Sequence, residues 1–367
     1  MGLKKGFKKL SFVLLIPLGL LLGYFATLSP ELVEKLYSTG IYKIIATPLN
    51  LISGIFPFSL GEMLLIGLII LLIVKLIKFI IRMFKTPKQF KQLLLDLVLN
   101  ILVLVSVLYF SFVVMWGINY QRLPFSQIAG LNVQPAKTSE LADVFENLSD
   151  KANELRKYVN ENEQGVMILP SGKQDALKRA YKGYENAAKI YPEFKGIYAR
   201  PKGVLLSEVM SYLNIEGIYS TYTGEANVNT SINDASFPFT ACHEMAHQRG
   251  FSREDEANYI AYIACKNHPD KDFQYSGMLS ALIYTGNALY QYNPDSYWKI
   301  RNNYSEGVNR DLDAITRYWK KYETSVKDFS NSVNDSYLKI NRQEDGVNSY
   351  GRMVDLLIAE YKKSAKQ

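Results

Sequence analysis

Two histidines four residues apart, with a glutamate directly after the first, are the side chains of this sequence best suited to chemistry. They stand in His243-Glu244-Met245-Ala246-His247, and the chain of 367 residues has only one further histidine, His268. On a helix, positions i and i+4 share a face, so both imidazoles can reach one ion. Zinc accepts such nitrogens at about 2.0–2.1 Å in tetrahedral geometry. Glu244 lies about 100° further round the helix. From there it reaches a water on the metal without being a ligand, the layout of a general base in metal-assisted hydrolysis. The expected cofactor is therefore Zn2+. A third protein ligand is needed and no third histidine is near. A carboxylate one tight turn further on supplies it, and Glu254 and Glu256 both qualify. Asn258 shares a face with Glu254 and is placed to support a ligand from behind.

Other residues carry weaker signals. A developing oxyanion wants a second donor; Tyr222, Tyr350 and Arg352 are candidates in a chain with 26 tyrosines. His268 precedes Pro269 and reads as a surface loop residue. Cys242 points away from His243. With Cys265 on the next helix it forms either a disulfide or a pair of buried thiols.

These residues need elements to hold them. Pro238 and Thr240 are helix-start residues and Gly250 is a stop, which predicts a helix over about 238–249. Ser252 caps a second helix, with Asp255 at its third position, running through Tyr259 to Cys265. Upstream, Gly217 to Asn229 is rich in β-branched and aromatic residues and reads as a strand or hairpin arm. Its part from Tyr219 could be the edge on which an extended substrate pairs. Further helices are expected over about 138–162, 173–190, 204–214, 273–291, 307–321, 323–340 and 350–364. The fold class is thus mostly α with a small sheet.

The hydrophobic content is 48%, and it is concentrated at the N-terminal end. Two cysteines exclude a disulfide scaffold, and the composition excludes a disordered or collagen-like chain. Three apolar stretches, about 10–28, 59–83 and 93–116, have the roughly 20 residues needed to cross a bilayer. The net charge of +7 lies largely beside them, which argues for the lipid bilayer as partner and against nucleic acid. Lys4, Lys5, Lys8 and Lys9 precede the first stretch. Lys75, Lys78, Arg82, Lys85, Lys88 and Lys91 surround the 84–91 loop. The positive-inside rule puts both in the cytoplasm. Three crossings then export everything after Tyr120. The chain divides into a membrane part, 1–118, and an extracytoplasmic part, 119–367, joined by a linker from Gln121 to Thr138.

The block His243 to Asn258, HEMAHQRGFSREDEAN, together with TGEANVN upstream and GVNSYGRMVDLL from Gly346 to Leu357, resembles the DUF3810 family of bacterial membrane proteins. The resemblance covers essentially the whole chain. That family is similar to gluzincin metallopeptidases, in which an E-x-x-A-[DN] helix follows HExxH. Mapped here the pattern is Glu254-Asp255-Glu256-Ala257-Asn258, which implies Glu254 as third ligand and an α+β zincin-like domain. The gap from His247 to Glu254 is shorter than in typical gluzincins. The position of a metzincin's third histidine falls on Arg253, which cannot ligate. The resemblance implies a membrane-anchored, exported zinc metallopeptidase acting on peptides or proteins. The other reading is a non-catalytic, zinc-stapled envelope or interaction domain. An intramembrane protease does not fit the polar stretch 230–258.

Overall fold

A run of leucine and isoleucine with no interior breaker forms a helix and, at sufficient length, needs lipid rather than water around it. The structure, a computed structural model, describes residues 9–364. It contains three stretches long and apolar enough to cross a membrane: Lys9–Thr27, Leu60–Lys85 and Pro87–Met115. We label their α-helical parts α1 (Leu15–Thr27), α3 (Leu60–Lys85) and α4 (Phe90–Met115), with α2 (Tyr42–Gly54) between the first two. Lys4, Lys5 and Lys8 of the N-terminal basic cluster lie outside the described residues. α1 packs on α4, and Gly19 permits it: an added Cβ would meet the Tyr109 ring at 2.9 Å. Thr86, restricted by the proline after it, ends α3 and passes the chain to α4 through a short turn.

The loop between the first two stretches is no bare loop. Val33–Ile41 is a π-helical segment that leads into α2, and both lie on the C-terminal domain. Asn50 of α2 donates to the Gly224 carbonyl and accepts from the Ala199 amide. The start of α3 is tied down as well. Four N–H groups at a helix start have no internal partner. Ser59 accepts one of them, from Glu62, and the Glu225 carboxylate takes those of Leu60 and Gly61. Glu225 is in turn paired with buried Lys202 at 2.5 Å. Residues 29–58 thus sit at the same end of the apolar helices as residues 119–364.

The C-terminal domain is mostly helical. Its helices are α5 (Thr138–Arg156), α6 (Gly172–Arg179), α7 (Tyr181–Ala187), α8 (Ser207–Tyr212), α9 (Phe237–Gln248), α10 (Glu254–Lys266), α11 (Lys271–Tyr292), α12 (Pro294–Arg301), α13 (Glu306–Lys320), α14 (Ser325–Ile340) and α15 (Met353–Ser364). Three strands, β1 (Lys202–Val204), β2 (Gly217–Ser220) and β3 (Glu225–Asn229), form a sheet in the order β1-β3-β2. β1 runs parallel to β3, and β2 antiparallel. α9 lies against β3 and is covered by α10 and α11. All of its side chains are buried except His243, which is half-buried.

Several sequence expectations need correction. The helix expected over 173–190 is broken at Ala180, and the one over 204–214 gives up its start to β1. Gln121 to Thr138 is not a free linker, because Phe125 is fully buried among Phe194, Phe251 and Tyr259. Ser252 does not cap α10. Its hydroxyl is buried without a partner, and Arg253, in extended conformation, takes the cap position. His268 is not a surface residue: it is 1% exposed, stacked on Phe273 at 3.8 Å, and its Nε2 meets the Arg179 carbonyl. A stacked, hydrogen-bonded imidazole is cheaper to bury than a bare one, which local sequence does not reveal.

Candidate metal centre

The centre is built at the C-terminal end of α9. Gly250 ends that helix at φ +82°, a conformation that side chains with a Cβ rarely adopt. A Cβ there would also press on the Tyr42 ring at 3.0 Å. The resulting cap returns the Gly250 N–H to the His247 carbonyl and the Phe251 N–H to that of Ala246. It also leaves the Phe251 carbonyl 2.7 Å from His247 Nδ1. A carbonyl only accepts, so Nδ1 carries a hydrogen and Nε2 is the nitrogen free to ligate an ion.

The reversed chain then starts α10 at Glu254, beside the two imidazoles. His243 Nε2 and His247 Nε2 are 3.1 Å apart. Glu254 Oε2 is 3.1 Å from the first and 3.5 Å from the second. The edge of a tetrahedron with bonds of about 2.0–2.1 Å is about 3.3–3.4 Å. The three candidate ligand atoms are therefore spaced as one face of a zinc-sized tetrahedron. Glu256, the rival third ligand, is turned away: its Oε1 accepts from the Phe125 amide at 2.9 Å and from Arg253 at 2.8 Å. The gap between His247 and Glu254 is short because a single glycine turn, rather than an inserted segment, reverses the chain.

Glu244 is buried, and its Oε2 has no hydrogen-bond partner. Its other oxygen lies on the backbone of β2, where a Cβ on Gly217 would come within 2.4 Å of it. The glycine makes room for the carboxyl. Burial raises the Glu244 pKa, and the charges of Glu254 and Glu216 add to this, bringing it to about 8. Such an acid is poised to exchange a proton near neutral pH. Burial would lower the His247 pKa, but the Glu254 carboxylate outweighs it and raises it to about 9. His243 is lowered, by burial first. Glu254 is raised by burial, yet held down to about 2 by the His247 charge and its two imidazole hydrogen bonds.

A pH dependence follows. His247 gains a proton on folding, so its pairing stabilises the metal-free protein fully below about pH 6.5 and is lost as pH rises through about 9. The contribution of Glu254 is present above about pH 4.5 and is lost as pH falls through about 2. A metal must displace the His247 proton. Calorimetric titration with zinc at pH 7, in buffers of different ionisation enthalpy, is expected to show release of at least about one proton per ion. A heat that does not depend on the buffer would mean that His247 is already neutral.

The structure adds residues the sequence did not single out. The Trp116 ring, directly after α4, meets the His247 ring edge-on at 5.8 Å. The Tyr120 and Tyr337 hydroxyls are 3.0 Å apart, and the Glu254 charge raises the pKa of both after burial does. Tyr284 of α11 shares a hydrogen bond with Asn258, and after burial the charges of Glu216 and Glu254 raise its pKa. Asn258 neighbours His243 as well. The Tyr42 hydroxyl lies 3.2 Å from the carbonyls of His247 and Gln248. Buried Arg122 clamps Glu34 through two nitrogens at 2.8 and 2.6 Å and donates to the Gly250 carbonyl at 2.9 Å. No spacing rule marks that last pair: Glu34 is one of two acids, with Glu31, between the first two apolar stretches, and Arg122 lies 88 residues further on.

The remaining candidates fall elsewhere. The Tyr222 hydroxyl donates to the Leu108 carbonyl in α4 at 2.9 Å, which occupies the hydrogen an oxyanion would need. Arg352 pairs with Asp345 at the surface. The side chain of Tyr350 lies outside the described residues. Cys242 and Cys265 are both buried free thiols.

A family model described as protein of unknown function (DUF3810) matches residues 37–358. No curated protein and no solved structure matches the chain.

Proposed function

We propose that this chain, which belongs to the DUF3810 family, is a membrane-anchored zinc metallopeptidase working on the outer face of the membrane. One observation carries the reading: three buried ligand atoms spaced as a tetrahedral face, 3.1, 3.1 and 3.5 Å apart, beside a buried carboxylate with an unpartnered oxygen. His243, His247 and Glu254 would hold the ion. A zinc ion so held supplies Lewis acidity, polarising a carbonyl and acidifying a water. Glu244 takes the proton from the attacking water and delivers it to the leaving amine. Its burial beside those ligands, with one oxygen unpartnered, suits both halves of that task. Tyr284, which shares a hydrogen bond with Asn258, is the hydroxyl assigned to the oxyanion in place of Tyr222, whose hydrogen goes to Leu108. β2 is an outer strand of the sheet and carries Gly217 against Glu244. An extended peptide paired with that strand would lie near the carboxylate, which favours polypeptide as substrate.

The topology agrees with export. Residues 29–58 and the C-terminal domain share one end of the apolar helices, while Lys75, Lys78, Arg82, Lys85 and Lys88 cluster toward the other. The positive-inside rule makes that other end cytoplasmic. To test the activity, the full-length protein in detergent is incubated with a mixed peptide library and new termini are read by mass spectrometry. Cleavage that a chelator stops and zinc restores is expected; zinc-loaded protein that yields no new terminus overturns the reading.

A further inference from the structure

Helix α14 carries an apolar face that the described residues leave largely uncovered. At 100° per residue, Val326, Phe329, Val333, Tyr337 and Ile340 fall within an arc of about 80°. Phe329 is 71% exposed and Ile340 78%. Asp328, Ser332, Ser336 and Lys339 lie outside that arc. A soluble domain rarely leaves such a contiguous stripe in water, whereas a helix lying in a membrane surface requires one.

The surroundings of the stripe favour lipid as what covers it. The Tyr337 ring meets Phe112, in the last turn of α4, edge-on at 6.1 Å, so the stripe is continuous with the apolar surface of that helix. α14 is held there by Ser330, which donates to the Leu213 carbonyl, and by Asn331, which accepts from Asn214. Other apolar groups sit at the same end. Leu205 is 72% exposed, and its amide and that of Leu206 are held by Glu62 in the first turn of α3. Tyr222 reaches Leu108. Two exposed tyrosines, Tyr222 and Tyr337, stand in this layer, as tyrosines do at membrane–water boundaries. The same layer touches the metal centre, since Trp116 lies against His247 and Tyr337 is bonded to Tyr120.

We propose that α14 lies in the plane of the membrane interface with Val326, Phe329, Val333 and Ile340 in lipid, and that the centre beside it cleaves polypeptides tethered to that same membrane. The second half rests on the peptidase reading; the first does not. For the first, the variants Phe329→Cys, Ile340→Cys, Asp328→Cys and Lys339→Cys of the full chain, whose own thiols Cys242 and Cys265 are buried, are labelled with an environment-sensitive fluorophore in phosphatidylcholine vesicles containing nitroxide lipid. Quenching at 329 and 340 but not at 328 and 339 is expected; equal signals at all four positions overturn lipid contact. For the second, the double variant Phe329→Glu/Val333→Glu is assayed on one peptide presented either free or anchored by an acyl chain. Cleavage of the anchored form should fall about tenfold or more, with the free form unchanged. An equal fall on both overturns the tethered substrate. A wild type that cleaves neither sinks the peptidase reading and the substrate half with it, while the quenching pattern still decides the lipid half.

Discussion

Replacing Glu244 by glutamine is expected to abolish peptide hydrolysis while leaving zinc in place. The change is nearly isosteric, so the contact with Gly217 survives and no ligand atom is lost. What disappears is the ability to accept and return a proton. General base and acid assistance contributes about 10²–10⁴-fold, or roughly 3–5 kcal/mol of barrier. The turnover number should fall by that factor, with metal content by elemental analysis unchanged at about one ion per chain. Peptidase activity at the wild-type level in a zinc-loaded Glu244→Gln protein would remove Glu244 from the mechanism. Loss of the metal together with the activity would show that the carboxylate also has a structural share in the centre.

The second large effect concerns the ion itself. Wild-type protein stripped by chelator and reloaded should hold about one zinc, and His247→Ala very little. A closed four-ligand zinc site is worth about 10–16 kcal/mol, so one ligand accounts for roughly 3 kcal/mol and its loss weakens binding on the order of a hundredfold or more. His247→Ala also leaves the Phe251 carbonyl, 2.7 Å from Nδ1 in the wild type, without its donor, at a further cost of about 1–3 kcal/mol in stability. Glu254→Gln is the companion variant, because it keeps the volume and removes the anionic ligand. Both should lose zinc, and Glu256→Gln should keep it, since that carboxylate serves Phe125 and Arg253 instead. Zinc retained in Glu254→Gln and lost in Glu256→Gln would reverse the assignment.

Much of the protein is legible along the chain. The three apolar stretches depend on length and composition, which are local quantities, and the structure has helices long and apolar enough to span at those places. The histidine pair was visible because i, i+4 spacing on a helix is a one-dimensional fact. The glycine stop at Gly250 was visible because few other residues adopt a positive φ. The choice between Glu254 and Glu256 was not settled by local rules, since both fall in a helical first turn where acids are favoured in any case. It depends on which carboxylate the Gly250 turn aims at the imidazoles and which is claimed by the Phe125 amide.

What the amino-acid order determined by itself was the donor set and the apolar lengths, because ligand chemistry and hydrophobic thickness belong to residues and runs of residues. Only the folded chain decided where the centre stands. Arg122 with Glu34, Tyr42 on the end of the helix that carries the histidine pair, and Trp116 against His247 join positions far apart in sequence. Those unions exist because buried charges and hydroxyls must find partners wherever the packing brings one within reach, and no spacing rule along the chain contains that information.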